Sequence, residues 1–100
     1  MIRHIFLFKV APGAAPDEIL SILNTLPGRV PQIRSWAVGP HQGEPDNNGE
    51  PWEYALTCDF DSMADLEAYT NDPYHQEVVA KLLPRFSARA VVDFELENRA

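Results

Sequence analysis

The sequence predicts an α+β domain of ferredoxin-like type, in the order β-α-β-β-α-β, with an antiparallel sheet carrying its helices on one face. Three observations predict it. The chain has 100 residues, room for one hydrophobic core and a single domain over 1–100. Four stretches read as extended chain. Apolar residues at helical spacing lie between the first and second of these and again between the third and fourth.

The first strand is expected over residues 2–10, with Ile2, His4, Phe6, Phe8 and Val10 on one side and Arg3, Ile5, Leu7 and Lys9 on the other. Both sides are partly apolar, so the strand should be covered on both. Ala11-Pro12-Gly13 breaks it. Pro16 then suits the first turn of a helix, and Asp17 and Glu18 complement the positive end of that helix. Ile19, Leu20, Ile22, Leu23 and Leu26 form its apolar stripe, and Pro27-Gly28 ends the run.

A second strand is expected over about Ile33 to Val38, followed by a polar, turn-rich loop from Gly39 to Pro51. Strand three is expected from Trp52 to Phe60, with Trp52, Tyr54, Leu56, Cys58 and Phe60 sharing one face. Ser62-Met63-Ala64-Asp65 resembles a capping box that opens a short helix to about Thr70. Asp72 and Pro73 then start another helix, with His75, Val78, Val79, Leu82 and Leu83 on one side and a stop before Pro84. The last strand is expected from Ala88 to Leu96, with Ala90, Val92, Phe94 and Leu96 on one face. Ile5, Leu7, Ala55 and Val91 would then occupy the sheet face away from the helices. That face is too apolar to stand in water, which predicts a homodimer.

Composition removes several partners. A net charge of −7 with scattered lysines and arginines disfavours nucleic acid and anionic membrane surfaces. No apolar run approaches the roughly 20 residues of a membrane span. The alternating N-terminal segment, interrupted by Lys9, reads as a strand and not as a signal peptide. A single cysteine, Cys58, excludes an internal disulfide and points to a reducing, cytoplasmic setting.

Two imidazoles and two phenols, those of His4, His75, Tyr54 and Tyr69, are expected to project between sheet and helices. A histidine titrates near neutral pH and suits a general base, and a phenol can donate to a developing oxyanion. Each has a plainer alternative. His4 and His75 can be buried neutral histidines with satisfied hydrogen bonds, and Tyr69 a core aromatic. A metal site is not expected, since there is no H-x-x-x-H, no C-x-x-C and no adjacent carboxylate pair. No glycine-rich phosphate loop follows a strand, and Cys58 has no neighbouring cation to activate it.

His4-Ile5-Phe6-Leu7-Phe8-Lys9, Ile33-Arg34-Ser35, Ala68-Tyr69-Thr70-Asn71-Asp72-Pro73-Tyr74-His75 and Ala90-Val91-Val92-Asp93-Phe94 together resemble the stress-responsive A/B barrel (Dabb) family over nearly the whole chain. The resemblance implies a ferredoxin-like fold that dimerises sheet to sheet into an α+β barrel. Plant members include a polyketide cyclase that needs no metal or cofactor and a hydroxynitrile lyase, and other members are known only as stress-induced proteins. The cyclase's acid–base residues are matched by His4, Tyr69 and His75. Where the cyclase carries a further third-strand histidine, this chain has Tyr54.

The expectation is therefore a cofactor-free acid–base enzyme of cyclase or lyase type, acting on a small apolar or aromatic carbonyl, or polyketide-like, substrate. His75 would be the base, Tyr69 the oxyanion partner and His4 a second polar contact, with Phe6, Trp52, Tyr54 and Val79 touching substrate. Two other readings use the same residues: a non-catalytic dimeric stress or ligand-binding protein, and, by fold analogy alone, a cofactor-free monooxygenase.

Overall fold

The computed structural model describes residues 1–97. Strand β1 (Ile2–Val10) leads through helix α1 (Pro16–Leu23) to β2 (Ser35–Pro40) and β3 (Tyr54–Phe60). Helices α2 (Met63–Asn71) and α3 (Pro73–Leu82) follow, then a single 3₁₀ turn (Leu83–Arg85) and β4 (Phe86–Glu95). The sheet runs β2-β3-β1-β4, antiparallel at every step, and this is the ferredoxin-like α+β fold. The second helical block divides in two because Asp72 cannot continue α2. It takes an extended conformation, and its carboxylate accepts from the Tyr74 and His75 amides at 2.8 and 3.3 Å, capping α3. Ser62 caps α2 by accepting from the Asp65 amide at 3.2 Å.

Strand boundaries shift from the expected ones for local reasons. β2 begins at Ser35 because Ile33 is still held in a turn, its amide donating to the Val30 carbonyl at 3.3 Å. It can end on Pro40 because it is an edge strand. β3 begins at Tyr54, which leaves Trp52 in the preceding loop with the Lys9 ammonium 5.4 Å from its ring centroid.

The core lies between the sheet and the helices. Phe8, Leu56, Cys58 and Phe60 are buried against Ile19, Leu23, Leu26, Val30, Leu66, Tyr69, Val78 and Leu82. Cross-strand partners share a face, so His4, Phe6 and Phe8 look toward the helices together with Cys58, Leu56 and Tyr54.

One expected side assignment is corrected. Val10 pairs with Phe86 but Lys9 pairs with Ala88, so Ser87 is an extra residue in β4, a β-bulge. Below it Phe8, Phe6 and His4 pair with Arg89, Val91 and Asp93. Val91 therefore belongs to the helix-facing side. Ala90, Val92 and Phe94, opposite Leu7, Ile5 and Arg3, form the open face in its place. Alternation counted along the sequence alone misses this, because one inserted residue reverses the facing of everything beyond it.

The open face is apolar at its centre, where Ile5 and Leu7 meet Ala55, Ala90 and Val92. At one end Asp59 accepts from Arg3 Nε and Nη2 at 2.9 and 3.1 Å and from the Ser35 hydroxyl at 2.8 Å. The arginine and serine hydrogen bonds hold the Asp59 carboxyl below its ordinary range. Among the described residues no helix is long and apolar enough to cross a membrane.

Candidate functional site

Three polar side chains meet in a largely apolar cavity of about 240 Å³ between the sheet and α3. β1 brings His4, the end of α2 brings Tyr69 and the first turn of α3 brings His75. Tyr69 stands between the imidazoles. Its ring centroid is 6.0 Å from His4, edge to face, and 4.1 Å from His75. Leu23, Leu26, Leu56, Val78 and Leu82 form the greasy walls, and Phe6, Val79, Leu83, Phe86 and Arg89 line the remainder.

Each imidazole is oriented through Nδ1. His4 Nδ1 lies 2.5 Å from Asp93 Oδ1, its direct cross-strand partner. A carboxylate accepts only, so Nδ1 carries the hydrogen and Nε2 of a neutral ring is left with a lone pair. His75 Nδ1 lies 3.3 Å from the Thr70 carbonyl, which likewise fixes the hydrogen on Nδ1 and leaves Nε2 uncommitted. Burial pushes the His75 pKa below its ordinary 6.5, the Thr70 carbonyl opposes that shift, and the nearby His4 adds to it. His75 is therefore a neutral imidazole at pH 7, able to accept a proton.

The Tyr69 side chain is buried, and burial raises its hydroxyl pKa above the ordinary 10. It remains a protonated donor. That hydroxyl makes no hydrogen bond to another described residue, yet among the described residues no buried side-chain nitrogen or oxygen is sealed off without a partner. Tyr69 lines the cavity, and a ligand oxygen there would be a partner for that hydroxyl. Cys58 sits across the strand from His4, but burial and the carboxylates of Asp59 and Asp93 push its thiol up to about 12. It is no nucleophile. Among the described residues no three His, Cys, Asp or Glu side chains gather so as to hold a metal ion.

Of the residues singled out from sequence, His4, Phe6, Tyr69, His75 and Val79 share this cavity. Trp52 and Tyr54 do not. Tyr54 is stacked flat on Phe8, with centroids 5.1 Å apart. Both line a second, more open depression of about 380 Å³, bounded by Leu7, Ala55 and the loop bearing His41, Glu44 and Glu50. With acidic loop residues in its wall, that depression lacks the enclosed apolar surroundings that give a polar group leverage.

Sequence reasoning missed Asp93 and Thr70. Asp93 could have been found from strand parity, had the bulge at Ser87 been recognised. Thr70 acts through its carbonyl, and a backbone contact of that kind leaves no mark on residue type.

Residues 2–96 match the stress responsive A/B barrel domain family. An uncharacterized protein of Streptomyces coelicolor is 27% identical over 95% of this chain and 99% of its own length. A dimeric protein of unknown function and ferredoxin-like fold from Bacteroides fragilis is 30% identical, with a TM-score of 0.69 over 95% of each chain. A hydroxynitrile lyase from Passiflora edulis is 20% identical and superposes with a TM-score of 0.85, over 99% of this chain and 95% of the lyase. Nearly its full length thus carries the family's pattern, and the chain belongs to the stress responsive A/B barrel domain family.

Proposed function

We propose that this protein is a cofactor-independent acid–base enzyme acting on a small, largely apolar carbonyl compound, with His75 as the general base. The observation that carries the reading is the convergence of the His75 and His4 imidazoles and the Tyr69 hydroxyl on one apolar cavity. His75 Nε2 takes a proton from the carbon next to the substrate carbonyl, and the electron pair moves onto the carbonyl oxygen. Tyr69 donates its hydroxyl hydrogen bond to that oxyanion, which an apolar setting strengthens. His4, steadied by Asp93, is the second polar contact, and the proton taken up by His75 Nε2 returns from there to the product. Phe6 and Val79 contact the substrate's apolar part. The Passiflora protein of the same fold is a hydroxynitrile lyase, which is consistent with acid–base work on such a scaffold.

We also propose that the working unit is a homodimer joined through the open sheet face. Val92 and Phe94 are 53% and 43% exposed there, and the Bacteroides relative is described as dimeric. Sedimentation velocity at micromolar concentration should give a dimer, and a clean monomer would refute the assembly.

The catalytic test needs no knowledge of the natural substrate. Phenylacetone in D₂O exchanges its activated protons through an enolate, and proton NMR follows the loss. Wild-type protein should accelerate the exchange, and His75→Ala should lower that acceleration by about 10²–10⁴ with its circular dichroism unchanged. Tyr69→Phe should lower it less. Equal exchange with wild type and His75→Ala would sink the mechanism. Ligand-induced shifts in the cavity without any exchange would mark a binding protein instead.

A further inference from the structure

We propose that Arg89 selects ligands carrying a carboxylate at the end remote from His75. The inference rests on the cavity reading above and adds to it the chemical class of the ligand. Arg89 is the one permanent cation in the cavity lining. It is also the described arginine without a partner. Arg3 pairs with Asp59, Arg34 with Asp61 at 3.0 Å and Arg85 with Glu18 at 2.7 Å, while Arg29 lies 4.1 Å above the Tyr74 ring. Arg89 has no ion pair or ring contact with any described residue, in a chain where acids outnumber lysines and arginines by 15 to 8. A guanidinium left free among so many carboxylates, on the wall of a greasy cavity, is available to a ligand.

Its position follows from the bulge. The extra residue Ser87 turns Arg89 to the helix-facing side, opposite Phe8. His4 lies four positions from Phe8 on the same strand, about 13 Å at ~3.4 Å per residue. The polar trio and the guanidinium therefore stand toward opposite ends of one largely apolar trough, with Phe6 between them on β1 and the Phe86 ring 5.6 Å from it. The complementary ligand is elongated and apolar in the middle, with its reacting carbonyl beside Tyr69 and His75. Its carboxylate is taken by the planar fork of Arg89, which matches that group's two oxygens.

A matched pair of probes, 5-phenylpentanoate and 5-phenylpentanamide, tests this at pH 7 and constant ionic strength, with binding followed by NMR through the Val79 methyls and the His75 ring. The carboxylate should bind wild type about twofold to fivefold more tightly than the amide, the range for a solvent-accessible ion pair. Arg89→Gln should remove that preference while leaving amide affinity unchanged. Arg89→Lys should retain part of it. If both probes shift the cavity signals with equal affinity, or Arg89→Gln keeps the preference, the arginine has no such role and the cavity reading stands. If neither probe moves the Val79 and His75 signals, the cavity reading falls and this inference with it.

Discussion

β1 and β4 lie side by side and both supply the cavity, yet they present their side chains by different means. β1 is a central strand of unbroken alternation, so His4, Phe6 and Phe8 face the helices as simple parity requires. β4 is an edge strand with Ser87 inserted, so Phe86 and Asp93 face the same side, although an odd separation along the chain would put them on opposite sides in plain alternation. A regular strand carries its facing in its own residues. A bulged one takes it from its neighbour's register, and the neighbour must be known before the strand can be read.

Deleting Ser87 attacks that difference most directly. Without the extra residue, either Phe86 leaves the core or Arg89, Val91 and Asp93 turn away from the helices. The deletion should cost about 3 kcal/mol, the low end for loss of a core phenylalanine, since Phe86 is only partly buried against the core, read from the urea midpoint. A wild-type midpoint would show that the bulge does not set the facing of β4. Next in size is a contrast between adjacent residues. Val92→Asp should weaken dimerisation by about a hundredfold, because it buries an unpaired charge in the proposed interface. Val91→Asp, on the other side of the same strand, should leave sedimentation unchanged. Reversal of that order would restore plain alternation.

A smaller effect is expected where the two strands meet at the site. Replacing Asp93 by Ala removes the acceptor that holds the hydrogen on His4 Nδ1. The proportion of that tautomer, read from the ring ¹⁵N shifts, should fall roughly tenfold, the worth of one charge-assisted hydrogen bond. An unaltered tautomer ratio would show that Asp93 does not orient the ring. Smallest is the pH dependence set by His75, on neither strand. Its folded pKa lies below 6.5, so the unfolded chain takes up the proton first as pH falls. Stability should decline with falling pH between 6.5 and the folded value, with no contribution above that window. His75→Asn should flatten this segment of the curve. The depressed Asp59 carboxyl acts separately, its contribution being lost only as pH drops through the acid range below 3.8.

Much of the fold was legible because each signal was local. Pro16, Ser62 and Asp72-Pro73 mark helix starts through backbone geometry and capping, and α1, α2 and α3 begin there. The polar trio was legible in part, since His4 follows strand parity and His75 helical spacing. Asp93 was not, because its facing depends on a pairing with β1 across nearly the whole chain. Trp52 and Tyr54 shared a side by alternation. The strand begins only at Tyr54, and that ring is occupied by its stack on Phe8, so neither reached the cavity.

The bond from His75 to the Thr70 carbonyl reaches across the joint where α2 gives way to α3. The imidazole is thus a pin through an elbow, and the Asp72 cap locks the same elbow from its other side. Rotating the ring would mean releasing the pin. The wall at that end is stiff, whereas the rim formed by Val79 and Leu83 is 36% and 38% exposed and can yield. On the proposed function, ligands of different girth would displace that rim while His75 Nε2 stays where it is.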